Sequence, residues 1–236
     1  MPPPPTPQTR CYLVRHCDVL NPRGVLYGYL PGFALSEKGV RQAHHLGRYL
    51  AETPARRIYT SPLLRARQTA DIIASHLEGA QVIETEDLTE ARFGLYLQGV
   101  RPRDVIWRRP LWLVHMLWPG LLPNDESVTE MADRVGVPLA ELSRDLLDEG
   151  GICICHGDPI QAYWVRLDGR RDYHLHRLEC AKGGMLVLDY QGGRALARRY
   201  VPPEEVADGA PSLPARASSP SSGSTAPSRA TDASQA

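Results

Sequence analysis

The chain has 236 residues, 27 basic against 27 acidic side chains and 42% hydrophobic residues, an ordinary globular composition with enough length for one substantial core. Balanced charge gives no field of one sign to favour nucleic acid or an anionic membrane as partner, and no run is long and apolar enough to span a bilayer. The start, Met1-Pro2-Pro3-Pro4-Pro5, lacks the apolar core of a secretory signal, and the five cysteines are odd in number, so reduced, buried thiols and a cytoplasmic location are expected.

Residues 1–10 read as an extended, mobile lead. The apolar run Tyr12-Leu13-Val14 predicts a first strand at about 11–15, followed by His16 and Cys17. Asn21-Pro22-Arg23-Gly24 marks a loop, and Ser36 is placed to cap a helix in which Val40, Ala43, Leu46 and Leu50 share a face. Arg57–Thr60 reads as a second strand. Pro62 falls in the first turn of the next helix, which sets Arg65 and Thr69 one turn apart. Gln81–Glu84 reads as a third strand, with Glu90 in the loop beyond it.

A further helix is expected from about Ser127, with Met131, Ala132 and Val135 inward. Pro138 should kink or break it before Leu139, Leu142 and Leu146 resume the apolar face. Gly150-Gly151 leads into the strand Ile152-Cys153-Ile154-Cys155, which ends at His156, and Gly157-Asp158-Pro159 opens a helix. Strands at 185–189 and 194–200 flank Gln191-Gly192-Gly193, a hairpin turn. Alternating strands and helices predict an α/β domain at 11–205, with a mostly parallel central sheet flanked by helices and an antiparallel edge hairpin. Residues 206–236, rich in Ser, Ala and Pro, read as a disordered tail.

His16 and His156 each end an apolar run of the kind buried on both faces of a sheet, and open α/β sheets bind ligands at that edge. Between them come Ser61-Pro62-Leu63-Leu64-Arg65-Ala66-Arg67-Gln68-Thr69-Ala70, then Leu88-Thr89-Glu90-Ala91-Arg92-Phe93-Gly94, then Glu126-Ser127 with Arg134 further on. In this order the motifs resemble those of the histidine phosphatase superfamily, which includes the cofactor-dependent phosphoglycerate mutases. Its pattern runs Arg-His-Gly, Ser-x-x-x-Arg-Ala-x-x-Thr, Leu-x-Glu-x-x-x-Gly and His-Gly, and the resemblance covers about 11–200.

The resemblance implies a phosphoglycerate mutase-like fold and phosphoryl chemistry. A phosphate monoester carries two negative charges near neutral pH, so a nucleophile reaches phosphorus only if positive charge holds the oxygens. Arg15, beside the histidine, and Arg65, in the second motif, are the candidates for that clamp, because a guanidinium fork matches phosphate geometry. His16 is implied as the nucleophile that forms a phosphohistidine, and His156 as the second imidazole on the phosphoryl oxygens. Gly157, at a helix start, adds backbone N–H groups to the anion site. Glu90 is implied as general acid, with Asp158 as its rival because a branch of the family carries its acid directly after the second histidine.

Two positions depart from the pattern. Cys17 replaces a glycine, where its side chain is expected to crowd the phosphate and to be a reactive thiolate beside Arg15 and Arg65, unless burial keeps it neutral. Asn21, a candidate substrate ligand, stands one position early. The stretch Trp107 to Trp118 carries three tryptophans, expected to bury against the sheet or a second subunit rather than to line a leaving-group wall. The leading reading is a phosphomonoesterase for a small phosphorylated metabolite that needs no metal or other cofactor. A mutase, or a binding module of the same fold without turnover, stands as the alternative. Nucleic acid and membrane are not expected partners, and homo-oligomerisation is left open.

Overall fold

The structure, a computed structural model, describes residues 8–208 except 119, 123–124, 146–148 and 192. Residues 1–7 of the expected lead at 1–10, Leu146, Gly192 of the hairpin turn, and residues 209–236 of the expected tail lie outside the described residues.

In chain order the elements are β1 (Gln8–Arg15), α1 (Glu37–Ala51), β2 (Arg57–Thr60), α2 (Leu64–Ala74), β3 (Gln81–Glu84), α3 (Gly94–Leu97), α4 (Val105–Arg108), α5 (Trp112–Leu117), α6 (Val128–Asp145), β4 (Gly151–Cys155), α7 (Gly157–Leu167), β5 (Met185–Gln191), β6 (Arg194–Val201) and α8 (Pro203–Ala207). Six strands form one sheet in the order β3-β2-β4-β1-β5-β6. The first four are mutually parallel, and β5 runs antiparallel to both β1 and β6. The expected mostly parallel sheet with its edge hairpin is thus present.

Side-chain alternation along the central strands divides the core between the two faces. Tyr12, Val14, Ile152 and Ile154 pack on one side with Ala43, Leu46 and Leu50 of α1 and with Ala66, Ala70 and Ile73 of α2. Cys11, Leu13, Cys153 and Cys155 pack on the other with Ala132, Val135, Leu139 and Leu142 of α6 and Ile160 of α7. Ser36 caps α1 as expected: its Oγ accepts the Gly39 N–H at 3.0 Å and donates to Asp18 Oδ2 at 2.7 Å. All five cysteines are buried thiols.

Several expectations need correction. Strand β1 begins at Gln8 rather than 11, because Gln8, Thr9 and Arg10 continue the ladder with β5 and Arg10 pairs with Asp189. The fold also extends past 205: Val206 on α8 is 3% exposed and joins the core, so 206–208 do not belong with a disordered tail. Helix α2 starts at Leu64, leaving Pro62 outside its first turn. Val40 lies at the edge of its helix face, 37% exposed. Helix α6 runs unbroken through Pro138. The buried side chains on both sides of that proline offset the lost hydrogen bond, as tertiary packing routinely overrides local preference.

Candidate active site

The parallel strands β1, β2 and β4 end together, and the residue after each stands at the same edge. The His16 N–H donates to the Cys155 carbonyl at 2.9 Å and the Ser61 N–H to the Ile154 carbonyl at 3.1 Å, so strand pairing carries past the strand ends. This brings the His16 and His156 rings to 5.1 Å between centroids.

The hydrogen bonds settle which nitrogen of each ring is bare. His16 Nδ1 lies 2.8 Å from the Cys17 carbonyl, which can only accept, so Nδ1 carries the proton and Nε2 keeps its lone pair. Arg65 Nε donates to that Nε2 at 3.2 Å. The same guanidinium donates through one terminal nitrogen to His156 Nδ1 at 3.1 Å and to the Gly28 carbonyl at 2.9 Å. With Nδ1 accepting, the His156 proton sits on Nε2 and goes to Ser61 Oγ at 2.8 Å. Both histidines are buried, and that burial, with the positive charge of Arg65, holds each well below the usual imidazole range. Both rings are therefore neutral at pH 7.

Arg15 and Arg65 flank the rings. Arg65 is 1% exposed, lies 3.8 Å from Glu90 Oε2 and sits over the Tyr27 ring. Arg15 donates to the Cys180 carbonyl, while its buried Nε has no protein partner among the described residues. An unpaired buried guanidinium N–H is a donor that an anion would satisfy. Gly157 matters here through its missing side chain: a Cβ would lie 3.1 Å from Arg15 Cζ, so the guanidinium would have to shift by a few tenths of an ångström. Lys182 also lines the site, 3.0 Å from Asp18 Oδ1.

Glu90 closes the other side. Its carboxylate lies 3.8 Å from His156 Nδ1, and Oε1 accepts the Ala91 N–H at 3.1 Å. Burial and the nearby Asp158 charge push it up to about 7 against the opposing pull of Arg65. The loop that carries it is held from behind. Arg134 donates to the carbonyls of Asp87, Thr89 and Glu90 and pairs with Glu126, whose Oε2 also accepts the Arg92 N–H. Tyr29 donates to the Glu90 carbonyl.

Arg15, Glu90, Asp158 and Lys182 line a cavity of about 390 Å³, along with Val25, Phe93, Trp112 and His115, whereas His16, Arg65 and His156, each 1% exposed or less, are not part of that lining. Asn21 is in the lining, but its amide is committed to its own loop, donating to and accepting from the Val25 backbone. The tryptophans do not pack as a group against the sheet of this chain. Trp112 lines the cavity, whereas Trp107 and Trp118 are 86% and 62% exposed in the chain.

The Cys17 expectation is also overturned. The side chain points away from the cavity into the core beside Ala43 and Leu46, and burial pushes its thiol up to about 12. It neither crowds the phosphate position nor forms a thiolate. Its N–H donates to Thr69 Oγ1, whose own proton goes to the Arg65 carbonyl, so the second motif ties down the turn after His16.

Sequence reasoning brought His16, His156, Arg15, Arg65 and Glu90 together correctly as neighbours. It missed Ser61 as the partner of His156, although that serine opens the second motif. Tyr27 and Lys182 sit in loops and had no pattern to mark them. Among the described residues no group of three or more His, Cys, Asp or Glu side chains is placed to hold a metal ion.

Two neutral imidazoles, two arginines and a carboxyl of raised pKa at a parallel sheet edge define a phosphoryl-handling α/β enzyme. A sequence profile of the histidine phosphatase superfamily (branch 1) matches residues 11–201. The chain belongs to that superfamily and is an enzyme of it. It is 32% identical over 198 residues to the Mycobacterium tuberculosis protein Rv0525, covering 83% of this chain and 97% of that one. It is 29% identical over 197 residues to a Shigella boydii protein named probable phosphoglycerate mutase GpmB, covering 80% and 89%. Among solved structures it is similar to the mycobacterial glucosyl-3-phosphoglycerate phosphatase Rv2419c, with TM-score 0.67, 22% identity and coverage of 82% and 97%. It is also similar to the Shigella flexneri alpha-ribazole phosphatase, with TM-score 0.65, 23% identity and coverage of 79% and 93%. No helix among the described residues is long and apolar enough to cross a membrane.

Proposed function

We propose that this chain is a phosphomonoesterase that hydrolyses a small phosphorylated metabolite through a phosphohistidine on His16. The observation that carries the reading is the His16 tautomer: Nδ1–H is committed to the Cys17 carbonyl, leaving Nε2 as a bare nucleophile beside Arg65. Arg15 and Arg65 hold the phosphoryl oxygens, with Arg15 Nε as an available donor. Nε2 attacks phosphorus, the ester P–O bond breaks, and the leaving alkoxide takes the proton of Glu90. Water then attacks phosphorus, gives its proton to the Glu90 carboxylate, and the P–N bond breaks to release phosphate.

Ser61 gives His156 a second role. As the side chains stand, Arg65 donates to Nδ1 and Nε2–H donates to Ser61. When a phosphoryl oxygen takes up the Arg65 donor, the serine hydroxyl can turn and donate to Nε2. The ring changes tautomer with that turn, Nε2 losing its proton and Nδ1 gaining one by exchange with solvent, so that the imidazole stays neutral and Nδ1–H binds the phosphoryl oxygen. The five buried thiols support a reducing, cytoplasmic setting.

The test is trapping with labelled substrate. Quenching without acid should yield an acid-labile phosphoenzyme, and His16→Ala should lose both the label and turnover. Robust turnover by His16→Ala would sink the mechanism. Conversion of 3-phosphoglycerate to its 2-isomer, outpacing release of phosphate, would assign the same site to a mutase.

A further inference from the structure

The cavity carries a second polar cluster that phosphoryl transfer does not use. His115, on α5, is 2% exposed, and its Nδ1 donates to Asp125 Oδ2 at 2.8 Å. Asp125 is itself buried and held, accepting the Gly120 N–H at 2.9 Å and the Glu126 N–H at 2.8 Å. The imidazole lies flat against Phe93, with centroids 3.9 Å apart and 6° between planes. The ring is thus locked with Nδ1–H committed, and no group among the described residues takes Nε2. His176 stands 5.7 Å away at the exposed rim.

Both histidines line the cavity shared with Arg15 and Glu90, next to the apolar surface of Trp112, Leu97 and Pro102. Charge divides this cavity. Its lining cations, Arg15 and Lys182, act on His16 at the phosphoryl end. Towards His176 the nearby charge is Asp158, which also acts on Glu90. A second anionic group on the substrate would meet repulsion there, whereas a hydroxyl would meet a bare imidazole nitrogen.

We propose that His115, oriented by Asp125, is a specificity-determining residue of a leaving-group subsite. The subsite takes an uncharged, hydroxyl-bearing ring: Nε2 accepts a hydroxyl proton while Trp112 covers the ring's apolar face. The inference rests on the phosphomonoesterase reading and narrows its substrate class to monophosphates of cyclic polyols, such as sugar phosphates, over carboxylated esters. Once a bound ring shuts water out of the cavity, Nε2 left without its donor penalises a substrate that lacks the hydroxyl.

The experiment compares kcat/KM for ribose 5-phosphate and glucose 6-phosphate with that for 3-phosphoglycerate and phosphoserine, each as a ratio to 4-nitrophenyl phosphate. The full chain should favour a sugar phosphate over both carboxylated esters by about tenfold or more. His115→Phe should reduce that preference by about tenfold, mainly through KM. Should His115→Phe fail to fold, Trp112→Ala on the open side of the cavity must lower the same ratio. A parent enzyme that favours the carboxylated esters, or a ratio that neither variant changes, overturns the subsite. Loss of all turnover in the parent, 4-nitrophenyl phosphate included, counts against the phosphatase reading alone. The subsite is then read from equilibrium binding of ribose 5-phosphate, which His115→Phe must weaken and which unaltered binding would refute.

Discussion

Glu90 carries the pH dependence of the site. Burial and the Asp158 charge raise its carboxyl to about 7, so the protonated form is populated at and below neutral pH. For an ester whose alkoxide needs a proton, the rate should fall as pH rises through about 7, while 4-nitrophenyl phosphate shows a flatter profile. His16 imposes no competing limb near neutral pH, because it stays uncharged well below the usual imidazole range. Glu90→Gln should slow alkyl esters by roughly 10²–10⁴-fold and 4-nitrophenyl phosphate far less. If Asp158→Asn shows that pattern and Glu90→Gln does not, Asp158 is the acid. The same shift has a stability consequence. A carboxyl raised in the folded state binds its proton more tightly there than in the unfolded chain. Its contribution is therefore full below the unfolded value and lost as pH rises through about 7. Melting at pH 5 and pH 8 should show Glu90→Gln gaining on the parent at the higher pH. Cys17 makes the contrasting case at this scale. It lies in the core with its thiol pushed up to about 12, so small alkylating reagents should leave it unlabelled in the folded protein. Cys17→Gly should cost about 1–2 kcal/mol of stability, from lost packing and added backbone freedom, without a gain in rate. Mass spectrometry after alkylation, with denaturant unfolding of the variant, checks both outcomes.

At the level of elements, α6 reaches into the site without touching the reacting atoms. Arg134 bridges buried Glu126 to three carbonyls of the loop that ends at Glu90. Arg134→Ala should cost up to about 3–5 kcal/mol, since it takes from the buried Glu126 carboxylate its close partner and leaves it the Arg92 N–H and the mostly exposed Arg92 guanidinium at 3.9 Å. It should also lower kcat by up to about 100-fold, because the Glu90 loop loses its anchor. Arg134→Lys should fall between, as an ammonium cannot span the carboxylate and all three carbonyls. Normal kcat in a destabilised Arg134→Ala would show that the tether supports the fold alone. This device was only half legible in the sequence. Glu126-Ser127 and Arg134 stood out as motif residues, but their partners are mostly backbone carbonyls, which leave no mark on composition or spacing. The unbroken α6 escaped for a related reason. The rule that proline breaks a helix is local, whereas the burial of Val135, Leu139 and Leu142 that overrides it is tertiary.

Across the whole molecule, what was legible is what repeats along the chain. The continuous apolar runs at Tyr12-Leu13-Val14 and Ile152-Cys153-Ile154-Cys155 marked the two central strands, and those strands, being adjacent and parallel, deliver both histidines to one edge. The cavity wall was not legible, because it draws on loops and short helices from residues 21 to 182, whose convergence only the topology provides. The ends of the fold were misjudged in the same way. Polar Gln8 and Thr9 belong to β1 because β5 lies alongside. Near the other end, a single valine decides where the domain stops. Val206 packs with Leu50, Val187 and Val201, α8 lies against α1, and Arg199 pairs with Glu205. Ending the chain after Val201 removes that contact. Burial of one such side chain is worth about 1.5–3 kcal/mol, which for a domain of this size corresponds to a fall in melting temperature of about 3–12 °C. Ending it after Asp208 keeps every one of these contacts, so melting temperature and kcat should match the full chain. The sequence from 209 on, poor in large apolar residues, has little to bury. Thermal melts of the two truncations beside the full chain decide the boundary. Equal melting of all three would strip α8 of its role in the core. A large loss on ending at Asp208 would mean that the segment beyond it docks on the domain.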